Sequence, residues 1–126
     1  MKIELDIPAP DRNIIESYSS AGIIINKVLY QHSIIIRAGE SIEDWPPSSL
    51  ADLLPTHFDR IIELAPELVL LGTGCRLQFP PQEVLAALMS RQIGIEVMDT
   101  AAACRAYNFI AGEGRKVVAA MLTIGS

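Results

Sequence analysis

Two short stretches hold the residues best suited to chemistry. Gly72-Thr73-Gly74-Cys75-Arg76 follows the apolar run Glu67 to Leu71, and Met98-Asp99-Thr100 ends a second such run, with Tyr107 seven residues further on. Glycines let backbone approach a ligand closely, and an arginine beside them suits a carboxylate or phosphate. The chemistry this points to is the cradling of a small anion at a crevice of Gly72, Thr73, Gly74, Arg76, Met98, Asp99 and Thr100, with Tyr107 as one wall. A plain tight turn explains the glycines more simply, because no Gly-Lys-Thr and no Gly-x-Gly-x-x-Gly completes a nucleotide fingerprint. Asp99 or Thr100 reads equally well as a helix cap, and a fixed carboxylate at the rim repels an anion.

Catalytic machinery is harder to find. Cys75 is the one nucleophile near the crevice, and His32 and His57, the two histidines, are not placed beside it by sequence. No Cys–His pair, metal ligand set, cofactor or catalytic residue is expected. Asp52, Asp59 and Glu63 read as solvated helix faces, and an ion pair of Glu113 with Arg115 is expected to fix the turn at Gly114. Two function classes follow. The first is a binding or assembly module with a protein partner and no chemistry of its own, favoured by the missing nucleophile and base. The second is a binding protein or enzyme for a small anionic metabolite at the crevice.

The crevice exists only if the surrounding elements build it. The 126 residues are half hydrophobic and 20% charged, enough for one folded domain spanning residues 1–126 with a core that needs no staples. A formal net charge of −5, with no cluster of Lys and Arg, excludes nucleic acid as a partner. No apolar run reaches the roughly 18–20 residues of a membrane span, and Met1 to Pro8 does not read as a signal or transit peptide. Cytoplasmic location, no membrane insertion and two free thiols at Cys75 and Cys104 are therefore expected.

In chain order, residues 1–12 read as a loosely tied arm. Ile14 to Tyr18, Gly22 to Ile25 and Ser33 to Ile36 read as a β-meander, since isoleucine favours strands, with Ser19 to Gly22 and Asn26-Lys27 at the joints. Trp45, before Pro46-Pro47, is expected to pack as a lid on the core edge. Ser48 or Ser49 is expected to cap a short helix, and Thr56 a second one from His57 to Ala65. From Leu68 the order is strand, helix (Pro81 to about Arg91), strand (Gly94 to Met98), helix (to Ala111, ended by Gly112), strand (Lys116 to Ile124). That is a pair of right-handed βαβ units with parallel strands, an α/β fold whose crevice lies at the carboxyl ends of the strands.

The ordered set Gly72-Thr73-Gly74, Met98-Asp99-Thr100, Ala103, Tyr107-Asn108 and Glu113-Gly114-Arg115, leading into an alanine-containing last strand, resembles a family. The chain is similar, from about Ile14 to its end, to the small bacterial and archaeal domains related to mitochondrial complex I assembly factor 3. The adipogenesis-associated domain protein of vertebrates belongs to the same group. The resemblance implies a three-layer α/β arrangement with a mixed central sheet and an added N-terminal β layer. It brings no established catalytic residues, and it implies an assembly-type role.

Overall fold

A strand that is apolar at every position is stable only when both of its faces are covered, and two such strands set the architecture. The computed structural model describes residues 13–125, so the expectation for residues 1–12 lies outside the described residues. The strands are β1 (Ile15–Ser19), β2 (Gly22–Ile25), β3 (Val28–Tyr30), β4 (Ile34–Arg37), β5 (Glu43–Asp44), β6 (Leu68–Gly72), β7 (Gly94–Met98) and β8 (Val117–Met121). The helices are α1 (Asp59–Glu63), α2 (Gln82–Ser90) and α3 (Thr100–Gly112), with 3₁₀ turns at Leu50–Asp52 and Pro55–Phe58. β1, β2 and β3 form one antiparallel sheet, and a five-stranded sheet has the order β5-β4-β8-β6-β7.

β6 pairs parallel with both β7 and β8, so the βαβαβ half is as the alternation of elements implies. β4 joins β8 antiparallel, which makes the large sheet mixed. Every residue of β6 and β8 is buried. Strand alternation divides them between two cores. Leu68, Leu70, Val117, Ala119 and Met121 pack with Ile34, Ile36, α3 and the small sheet, through Ala103, Cys104, Tyr107, Ile15, Ile23 and Ile25. Val69, Leu71, Val118 and Ala120 pack on the other face with Ile35, Trp45, Phe58, Ile61, Val84 and Leu88. The result is three layers, with the small sheet and α3 on one side of the large sheet and α1 and α2 on the other.

The meander differs from the sequence expectation in its third strand. β3, which follows β2 through a turn with Asn26 and Lys27 both at positive φ (51° and 70°), completes it, while Ile34–Ile36 crosses to the large sheet. Two consecutive positive-φ residues form the hairpin turn whose twist matches the strands. Ile34, Ile35 and Ile36 are buried in succession, the signature of a strand covered on both faces, whereas Val28 and Leu29 are exposed.

The short helices also differ. Neither Ser49 nor Thr56 caps through its side chain; Ser48 Oγ instead donates to Asp52 Oδ2 (2.7 Å), and His57 Nδ1 accepts from the Leu54 N–H (2.9 Å). Trp45 is core rather than lid. It is buried, donates from Nε1 to the His57 carbonyl (2.9 Å) and meets Phe58 edge-on at 5.7 Å. α3 ends one residue later than expected, at Gly112, with Gly114 (φ 82°) in the left-handed conformation and its N–H on the Ala111 carbonyl (3.0 Å). That backbone closure holds the turn, and among the described residues no ion pair joins Glu113 to Arg115.

Leu70 is fully buried at the middle of β6. Leu70→Asp is expected to leave the chain unfolded at room temperature, because a buried unpaired carboxylate costs several kcal/mol. Circular dichroism of the variant checks this, and an unchanged melting curve would place β6 outside the core.

Candidate functional site

Gly72 stands opposite Met98 and Met121 in the two parallel ladders, so the carboxyl ends of β6, β7 and β8 share one rim. Topology thus gathers Gly72, Thr73, Gly74, Met98, Asp99 and Thr100. What they do there is bond to one another. Thr73 N–H donates to the Met98 carbonyl (2.9 Å), Thr100 N–H to the Gly74 carbonyl (3.0 Å) and Leu122 N–H to the Gly72 carbonyl (2.9 Å).

The fully buried Thr100 is the centre of the arrangement. Its hydroxyl donates to the Leu122 carbonyl (2.7 Å) and accepts from the Gly74 N–H (2.9 Å). Gly72 is glycine because a Cβ there would lie 2.8 Å from Thr100 Oγ1 and 3.0 Å from Met121 Sδ. Asp99 is the N-cap of α3, its Oδ1 accepting from the Ala102 N–H (2.8 Å). Thr73 Oγ1 ties the following loop, donating to the Arg76 carbonyl (2.7 Å) and accepting from the Gln78 N–H (3.2 Å).

Arg76 and Tyr107 behave differently. Arg76 is exposed, and with the Gln78 amide oxygen turned toward it, Nη2 and Nε donate to that oxygen at 3.0 and 3.1 Å. Tyr107 lies two turns along α3, roughly 10 Å from Thr100 at the usual rise. It is a core residue and lines a separate cavity of about 420 Å³ with Asn13, Ile14, Asn108, Ala111, Gly112 and Gly114. Asn108 is a partner that sequence reading missed: its side chain accepts from the Ile15 N–H (2.9 Å) and donates to the Ile15 carbonyl (2.7 Å), acting as a surrogate strand neighbour for β1. A separation of 93 positions leaves no local signal for that pairing.

Cys75 is exposed and Cys104 buried, and both are free thiols. Burial pushes the Cys104 thiol up to about 12 against a small opposing pull from Arg105, and burial likewise raises the Tyr107 phenol to about 12. Neither group is an ionised nucleophile at neutral pH. Among the described residues no group of His, Cys, Asp and Glu is placed to hold a metal ion.

Comparison with known proteins places this geometry in a context. Residues 15–122 match the model of a family described as "Protein of unknown function (DUF498/DUF598)". The chain is 36% identical over 112 residues to the human protein named NADH dehydrogenase [ubiquinone] 1 alpha subcomplex assembly factor 3, covering 86% of this chain and 59% of that protein. The chain therefore spans about six tenths of the length of the assembly-factor relatives it matches. An NMR structure from Xanthomonas campestris is 43% identical with a TM-score of 0.80, covering 88% of this chain and 84% of that one. A solution structure from Bordetella pertussis, described as a Mth938-like domain, is 30% identical with a TM-score of 0.83, covering 100% of this chain and 94% of that one.

Two outcomes test the rim and the core beneath it. Thr100→Val strands the Gly74 N–H and the Leu122 carbonyl, and urea unfolding is expected to show a loss of about 1–3 kcal/mol for each group left unpaired. The second concerns pH. The unfolded chain releases the Cys104 and Tyr107 protons from their ordinary values of 9.0 and 10.0, while the folded chain keeps both to about 12. Within that window the unfolded state binds fewer protons, so stability falls as pH rises, and the effect fades as pH drops below 9.0. Cys104→Ala is expected to make the decline shallower in denaturant titrations across the window, and an equally steep decline would assign it to other groups.

Proposed function

Because the chain belongs to the DUF498/DUF598 family, we propose that it is a non-enzymatic docking module with an assembly-type role, acting by holding a protein partner. The observation that carries this reading is the internal satisfaction of the rim. The N–H groups of Thr73, Gly74, Thr100 and Ala102, which an anion or a developing oxyanion would need, all donate within the chain. The Asp99 carboxylate already occupies the head of α3.

The second reading, a small anionic ligand at Gly72, Thr73, Gly74, Arg76, Met98, Asp99, Thr100 and Tyr107, would have to break those bonds and use Arg76 from the exposed side. The assembly-factor name of the human relative supports the first reading at the level of the family. Since that protein is longer than the match, its own partners are not carried over. Among the described residues no helix is long and apolar enough to cross a membrane, and an exposed thiol at Cys75 suits a reducing compartment; cytoplasmic location is part of the proposal.

The test has two arms. Titration of the chain with inorganic phosphate and acetate, followed by amide NMR, is expected to give no saturable shift at Gly74, Thr100 or Ala102. Cross-linking in the native cell, followed by reconstitution from purified components, is expected to give a defined complex that Arg76→Ala leaves intact. A saturable phosphate shift at the rim, abolished by Arg76→Ala, would overturn the docking reading in favour of the anion site.

A further inference from the structure

β7 is the outer strand of the large sheet, and its backbone bonds reveal which of its groups are free. Gly94 N–H donates to the Glu67 carbonyl (3.1 Å) and the Met98 carbonyl accepts from the Thr73 N–H (2.9 Å). Positions 94, 96 and 98 thus turn their backbone groups inward to β6, and strand alternation turns those of Ile95 and Val97 outward. Among the described residues β7 has no second neighbour.

The other edges are blunted. β5 is two residues long, and its Glu43 is held by Arg60 (2.8 Å) and Arg37 (3.7 Å) before the chain turns into Trp45-Pro46-Pro47. The Ile15 backbone of β1 is taken by the Asn108 amide, and the register slips between Ile15 and Ser17. β3 has three residues. β7 has five, all regularly paired to β6, with no proline, no lysine and no bulge. Short length, charge, proline and bulges are the usual protections of an edge, and β7 shows none of them beyond Glu96.

Glu96 decides what can pair there. A second copy adding antiparallel about Glu96 would set Ile95 against Val97 and Glu96 directly against Glu96, with Cβ atoms about 5 Å apart, and like charges opposed across strands destabilise the pair. The net charge of −5 opposes self-association further. A segment with Lys or Arg at that position instead gains a cross-strand ion pair. On the opposite face it continues the apolar layer in which Ile95 and Val97 lie half-buried beside Val84 and Leu88.

We propose that the free edge of β7 is the docking surface of this chain, and that its partner is an extended segment of another protein that adds as a sixth strand with a basic residue opposite Glu96. This deepens, and rests on, the docking reading above.

The probes are two short end-blocked peptides in which valine alternates with threonine, one with lysine and one with glutamate at the centre, and the readout is amide hydrogen exchange. The lysine peptide is expected to slow exchange at Ile95 and Val97 by about tenfold or more, and the glutamate peptide to leave it unchanged. Glu96→Lys should reverse that preference. Val97→Pro should abolish binding while the melting curve holds, since the N–H it removes faces outward. If that variant does not fold, the reversal by Glu96→Lys still decides. Protection of Ile95 and Val97 that grows with protein concentration alone would make a second copy the occupant and overturn the proposal. Shifts confined to another surface would overturn this edge while leaving the docking reading intact, and equal binding of both peptides would overturn the role of Glu96.

Discussion

The buried hydroxyl of Thr100 is the joint on which the rest of the structure depends. It links three elements that are distant in sequence: the first turn of α3, the loop after β6 through the Gly74 N–H, and the segment after β8 through the Leu122 carbonyl. In a dry interior each of these groups would be costly to leave unpaired, so the hydroxyl couples the three elements energetically. Gly72 makes the joint sterically feasible, because any side chain there would meet Thr100. With its first turn fixed, α3 lays Ala103, Cys104 and Tyr107 onto the sheet, and the small side chains of the first two let helix and sheet come close.

The same joint explains how the small sheet is held. α3, placed by Thr100, presents Asn108 to β1, where one amide replaces both bonds of a missing strand neighbour, and Arg105 Nη1 donates to the Tyr18 hydroxyl (2.7 Å). The Ile15, Ile23 and Ile25 side chains then close the core over α3. On the opposite face Trp45, tied to the His57 carbonyl, locks the 3₁₀ turn before α1 against the sheet.

The parts legible in the sequence were those where one local signal agreed with the burial pattern. Leu68 to Leu71 read as a strand covered on both sides, Pro81 marked the head of α2, and Asp99-Thr100 marked the start of α3. The assignment that failed was the third strand of the meander. Both Val28–Tyr30 and Ile34–Ile36 are short apolar runs that suit a strand, and their burial, with Val28 and Leu29 exposed but Ile34 to Ile36 all buried, separates them. Thr56 failed as a cap because proline at 55 opens a 3₁₀ turn in which His57 serves the Leu54 N–H. At the rim, the alternation of elements brought Gly72, Thr73, Gly74, Met98, Asp99 and Thr100 together, whereas Tyr107 lines a separate cavity and Arg76 is exposed. Whether their polar groups faced outward or inward was a tertiary fact, and Asn108 with Ile15 was beyond any local reading.

Rim and edge are mechanically connected, and that connection bears on what the molecule can do. Stabilising a reaction's charge needs donors that are oriented but unengaged, whereas the N–H groups of Thr73, Gly74, Thr100 and Leu122 are consumed in holding β6, β7, β8 and α3 together. That rigidity is useful elsewhere. The Thr73 to Met98 and Gly94 to Glu67 bonds fix both ends of β7 against β6, so the outward groups of Ile95 and Val97 are held at strand spacing before anything binds. An incoming segment then bears the cost of ordering one strand rather than two, and preorganisation of this kind raises affinity without enlarging the contact. The glycines and threonines that make the rim resemble a ligand cradle thus have a structural consequence: they turn the neighbouring edge into a rigid template.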